Sequence, residues 1–193
     1  MRNRMWMLVA VVACGAAPIV ASAQGLGLKG GLAYGSVPNN GGVYPGNLSA
    51  ASGYAVGIGI SSQRAIGLGV DALYAQRGFT SSTSGGSREL SYVDIPVYLQ
   101  VQAPGASVSP FAYAGPQASF EVSCKASGGE CPDGRSKSAY AGVIGGGLRF
   151  GAVSRFSIEG RYVYGLTDLK ASTVTEKDNY KTRSFMLLVG VGF

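Results

Sequence analysis

Beyond residue 24 the chain is written in period two. Large apolar side chains alternate with small, polar or charged ones in eight segments, at about 25–35, 51–61, 65–78, 89–102, 108–122, 137–150, 155–168 and 180–193. Such alternation marks β-strands with two unlike faces. In the last segment Phe185, Leu187, Val189, Val191 and Phe193 share a face, opposite Ser184, Met186, Leu188, Gly190 and Gly192. In the third, Ile66, Leu68, Val70, Ala72 and Tyr74 oppose Gly67, Gly69, Asp71, Leu73 and Ala75. The fourth sets Val93, Ile95, Val97, Leu99 and Val101 against Tyr92, Asp94, Pro96, Tyr98 and Gln100. The seventh sets Phe156, Ile158, Gly160, Tyr162 and Tyr164 against Ser157, Glu159, Arg161 and Val163.

Two architectures fit this pattern. A soluble periplasmic β-barrel or sandwich turns the apolar face inward, onto a core or an apolar ligand. A membrane barrel turns it outward, onto lipid. Three features favour the second. Most segments run 11–15 residues, enough for a tilted transmembrane strand and long for a soluble domain. The connections alternate in length. Those at 62–64, 103–107 and 151–154 are short, whereas those at 36–50, 79–88, 123–136 and 169–179 are longer and polar. Aromatics on the apolar face sort by height: Tyr34, Tyr54, Tyr74, Tyr140 and Tyr164 toward the long connections, Phe150, Phe156 and Phe193 toward the short ones. Short periplasmic turns, long outer loops and two aromatic girdles are the signature of an outer-membrane barrel. The expected fold is all-β, an eight-stranded antiparallel up-and-down transmembrane β-barrel over residues 24–193. An even strand count puts both termini in the periplasm.

The N-terminal end reads differently. Arg2 and Arg4 precede an apolar run from Met5 to Ala13, and Ala21-Ser22-Ala23 forms a small-x-small site before Gln24. This is the layout of a cleaved signal peptide over residues 1–23. Val11-Val12-Ala13-Cys14 also resembles a lipobox, which leaves a lipoprotein reading open. Loss of residues 1–23 leaves 170 residues (193 minus 23), one domain's worth of chain. The net charge falls from +6 to +4, because Arg2 and Arg4 leave and no acid leaves with them. The remaining basic residues are scattered, so no nucleic-acid footprint exists. No stretch of 18 apolar residues follows, so no transmembrane helix is expected. The mean hydropathy is nevertheless positive, which requires another place for apolar surface. Many of the 31 glycines fall on the inner face, among them Gly57, Gly59, Gly145 and Gly147, where small residues relieve crowding in a narrow barrel.

The available chemistry is sparse. Cys124 and Cys131 flank a polar, glycine-containing segment and read as a loop disulfide in an oxidising compartment. A zinc pair is the competing reading, weakened by the absence of any histidine or further ligand cysteine. The lack of histidine also removes the usual general base. No catalytic, cofactor or metal site is expected. The inward-facing charges are Lys29, Asp71, Asp94, Arg149, Glu159 and Arg161. In so narrow a barrel they read as a lumen charge network that pins strand register, with a narrow solute path as the functional alternative. The loops carry mixed charge. For Lys181 and Arg183 at the outer rim two readings stand, contact with lipopolysaccharide phosphates and simple solvation of a mixed-charge polar loop.

Several stretches also carry a family resemblance. Gly27-Leu-Lys-Gly-Gly-Leu32, Ala72-Leu-Tyr-Ala-Gln-Arg-Gly78, Tyr92-Val-Asp-Ile-Pro-Val97, Ala112-Tyr-Ala-Gly-Pro116, Arg161-Tyr-Val-Tyr-Gly-Leu-Thr167 and the terminal Phe193 occur in order over nearly the whole chain. Together they resemble the porin-like family of small outer-membrane barrels related to the outer-membrane protein A barrel. Asp71 and Asp94 stand where such sequences commonly carry Glu. The C-terminal phenylalanine resembles the signal read by the barrel assembly machinery. The expected location is the bacterial outer membrane, as a monomer in contact with membrane lipid and lipopolysaccharide. The implied role is structural, surface-interacting or weakly permeable to small solutes, without enzymatic activity. Familiar lipid-modifying barrel enzymes use a histidine with a serine, which this chain cannot supply.

Overall fold

The computed structural model describes residues 24–36, 48–62, 64–81, 87–103, 107–126, 137–151, 155–166 and 183–192. They form eight strands: β1 (Gln24–Ser36), β2 (Leu48–Ser62), β3 (Ile66–Ser81), β4 (Ser87–Gln102), β5 (Val108–Ala126), β6 (Ser138–Phe150), β7 (Arg155–Gly165) and β8 (Arg183–Gly192). Each pairs antiparallel with its neighbour in sequence, and β8 returns to pair with β1, so the sheet closes into a barrel. Closure removes the unpaired edges that an open sheet would present. The closing ladder runs from Gly27 with Gly192 to Ser36 with Arg183.

The alternation decides which side of each strand is which. Ile66, Tyr140 and Ile144 are 65%, 61% and 60% exposed on the outer face. Leu28, Ile58, Leu99, Ile158 and Val189 join them there. Residues of the opposite parity, among them Asp71, Leu73, Asp94, Tyr98, Glu159 and Met186, are buried inside. The apolar face therefore points out, not into a core, and the soluble arrangement with an inward apolar face is not what forms.

The strands follow the sequence pattern closely, with differences at their ends. β5 runs on to Ala126 because its pairing with β4 continues past an irregularity at Ser91/Tyr92, where Ser91 meets Ser123 and Tyr92 meets Glu121. β7 stops at Gly165 and β8 begins at Arg183. A second irregularity lies in β2. From Ala51 to Ala55 it advances four residues while β3 advances three, from Gly78 to Ala75. Such bulges tighten twist and curvature where a small barrel needs them. Gly151 leaves β6 with φ 92°, a left-handed conformation that favours glycine. Its amide donates to Ser107 O at 3.2 Å, which ties the β6–β7 turn to the start of β5.

On the outer face, Tyr34, Tyr54 and Tyr140 stand exposed near the long connections. Tyr74 is half-covered beside Tyr54, with ring centroids 6.1 Å apart. Phe150 and Phe156 are register partners at the short-turn end. Residues 1–23, Cys131, Lys181 and Phe193 lie outside the described residues.

Candidate functional site

Parity delivers the charged residues to the lumen, and strand stagger decides which of them meet. Lys29 of β1, Asp71 of β3 and Glu159 and Arg161 of β7 form one central cluster. Lys29 Nζ donates to Asp71 Oδ2 at 3.0 Å and to Glu159 Oε2 at 2.9 Å. Arg161 Nη2 donates to Glu159 Oε1 at 2.7 Å and also to Asp71 Oδ2. Arg161 Nε donates to Glu159 Oε1 at 3.0 Å. Two cations thus balance two carboxylates in a space where unpaired charge is costly.

Two tyrosines complete this layer. Tyr98 of β4 donates to Asp71 Oδ1 at 3.0 Å. Tyr113 of β5 donates to Glu159 Oε1 and accepts from Arg161 Nε at 2.7 Å. Their ring centroids are 4.5 Å apart. Arg161 also lies over the Tyr113 ring at 5.4 Å. The rings fit because glycines face them. A Cβ on Gly69 would stand 2.3 Å from Tyr98 Cε2, and one on Gly145 would stand 2.3 Å from Tyr113 Oη. The buried side chains of Leu73, Met186 and Leu188 fill the space beside the cluster. Ions, rings and aliphatics together occupy the middle of the barrel.

Asp94 does not join this cluster. It pairs with Arg77 of β3, whose guanidinium lies 5.2 Å from the centroid of the Tyr92 ring, toward the long-connection end. Arg77 was not among the expected lumen charges. It shares parity with Asp71, Leu73 and Ala75, so carrying the alternation two residues further identifies it. Among the described residues, Arg77 Nε, Asp94 Oδ1, Gln117 Oε1 and Arg161 Nη1 are buried without a hydrogen-bond partner.

Arg149 of β6 also stands apart. It donates to Gln102 Oε1, to Gln100 Oε1 at 2.8 Å and to Ser61 Oγ at 3.3 Å, and lies over the Phe111 ring at 4.5 Å. All its partners among the described residues are neutral. The six expected charges therefore fall into three groups, not one network.

A cavity of about 50 Å³ lies at the short-turn end of the lumen and one of about 20 Å³ at the other. The central layer stands between them. Cys124 lies near the end of β5, and Cys131, with which a loop disulfide was expected, lies outside the described residues.

Comparison with known proteins places this architecture. Among solved structures, the outer membrane protein OprG from Pseudomonas aeruginosa is similar with a TM-score of 0.55 at 14% identity, covering 89% of this chain and 96% of that one. Neisserial surface protein A is similar with a TM-score of 0.55 at 15% identity, covering 89% and 98%. At these identities the likeness concerns the fold. Curated proteins compared by sequence give no match. The family described as outer membrane protein beta-barrel domain matches residues 22–171. The chain belongs to that outer-membrane β-barrel family.

Proposed function

We propose that this protein is a non-enzymatic outer-membrane barrel with a closed lumen, and that its role is structural or surface-interacting. The observation that carries the reading is the central layer. Lys29, Asp71, Glu159 and Arg161 neutralise one another around the closely packed rings of Tyr98 and Tyr113. A path for solutes would have to break this layer. The charged groups it contains are already committed to each other, which also leaves no free general base in the middle of the barrel.

In this reading residues 1–23 are a cleaved signal peptide and both termini face the periplasm. The assembly machinery reads Phe193, and the barrel stays monomeric. Arg183, exposed and 5.6 Å from the centroid of the Tyr164 ring, meets lipopolysaccharide phosphates at the outer rim together with Lys181. Cys124 closes a surface loop with Cys131; Cys131→Ser is expected to make Cys124 reactive to maleimide without reductant, and an unreactive Cys124 would exclude the pairing.

Purified protein in planar bilayers tests the closed lumen. No stable conductance is expected from the native chain, and channel steps are expected once both rings are removed in Tyr98→Ala/Tyr113→Ala. Reproducible steps from the native chain would overturn the proposal.

A further inference from the structure

The cavity at the short-turn end carries charge that the central layer does not absorb. It holds about 50 Å³, room for about three or four waters. Asp71 and Glu159 reach its inner wall, but Lys29 and Arg161 already balance them. Arg149 and Arg155 line the same cavity. Arg149 donates only to amide and hydroxyl oxygens. Arg155 has no ion pair or hydrogen bond among the described residues. Among the described residues, the two guanidiniums thus share a small recess without an ion-paired carboxylate of their own.

Positive charge withdrawn from water and left unpaired is costly, and a bound oxyanion would offset that cost. The planar guanidinium fork suits phosphate oxygens, which it can engage in pairs. The recess also has space that side chains would remove. A Cβ on Gly190 would stand 2.5 Å from Ser157 Oγ, and one on Gly59 would stand 2.2 Å from Asp71 Oδ1. Ser157 lines the cavity and adds a neutral donor. Two uncompensated positive charges in so compact a space match a small dianion better than a single carboxylate.

We infer that the short-turn vestibule binds a phosphate group, held by Arg149 and Arg155. The inference depends on the barrel and not on the role proposed for it. Inorganic phosphate and a phospholipid headgroup both carry the required chemistry.

The test uses the full folded chain in a phosphate-free glucoside detergent, titrated with inorganic phosphate and followed by phosphorus NMR. A second arm places it in lipid discs containing phosphatidylglycerol and follows immobilised headgroup signal. Arg155→Gln is compared with Arg64→Gln, which alters an exposed cation in the β2–β3 turn outside the cavity. Heat-modifiable gel mobility confirms that each variant is folded. Saturable binding is expected in at least one arm, weakened at least tenfold by Arg155→Gln and unchanged by Arg64→Gln. Saturation in detergent identifies the free anion; signal in discs alone identifies the headgroup. The proposal is overturned by no saturation in either arm, by Arg155→Gln binding like the native chain, or by equal losses in both variants.

Discussion

Lys29 Nζ lies 2.9 Å from Glu159 Oε2 and so joins β1 to β7 across the intervening β8. The same ammonium lies 3.0 Å from Asp71 Oδ2 and joins β1 to β3 across β2. One side chain therefore couples strands that share no ladder. A slip of one residue in any of these strands would turn its charge out of the lumen.

Lys29→Met should show what this coupling contributes. It leaves Asp71 and Glu159 facing Arg161 as their only cation in the cluster. Breaking one partner of a buried ion group costs about 3–5 kcal/mol. Urea unfolding of the refolded barrel in lipid vesicles reads the change. A loss below about 1 kcal/mol, the level of a surface pair, would show that water already screens the cluster.

Arg77 and Asp94 form a pair whose members depend on each other. Arg77→Leu alone strands Asp94, which is 0% exposed, and should destabilise by about 3–5 kcal/mol. Arg77→Leu/Asp94→Leu should recover most of that loss, since a buried pair can be replaced by apolar side chains at little net cost. A double variant no better than the single one would mean that the pair holds more than itself in place. The same unfolding measurement distinguishes these outcomes.

Gly69 and Tyr98 give a steric counterpart. Gly69→Ala brings a methyl group to 2.3 Å from the ring unless something shifts. Overpacking of this kind costs about 1–3 kcal/mol. Tyr98→Leu removes the obstructing ring, so the double variant should be more stable than the two single losses predict when added. Strict additivity in the double-mutant cycle would place the glycine requirement in the backbone instead.

Outward residues should respond by height. Ile58 lies midway between the aromatic ends of the barrel, and Ile66 begins β3 beside a short turn. An arginine at the bilayer midplane of a barrel costs about 2–4 kcal/mol, falling to about 0–1 near the interface. Ile58→Arg should therefore destabilise the vesicle-embedded barrel much more than Ile66→Arg. Equal effects would mean that the apolar belt is not centred in the bilayer as the rings imply.

The faces of the strands were legible because parity is a local property. Each residue's side follows from its neighbour, and Lys29, Asp71, Asp94, Arg149, Glu159 and Arg161 all point into the lumen. Who meets whom was not legible. Lys29 and Glu159 stand 130 positions apart, and Arg161 and Asp71 stand 90 apart. Their encounter depends on stagger summed around the barrel, which includes the irregularity between Ala51 and Ala55. Arg77 was less legible because the alternation of large apolar and small residues fades over Gln76-Arg77-Gly78. The partners of Arg149 were missed for another reason. Gln100 and Gln102 carry no charge that would mark them, yet their amide oxygens accept its hydrogen bonds.

The ladder between β1 and β8 joins the two ends of the described chain. Until β8 arrives, β1 has an open edge, and every incomplete chain carries two such edges and an apolar flank. Contacts between remote residues form slowly, because the intervening chain must be gathered first. A ribosome releasing this protein therefore produces something that cannot protect itself on the way to the membrane. A transcript truncated before residue 183 would therefore encode a chain suited to aggregation and not to a smaller version of the same object.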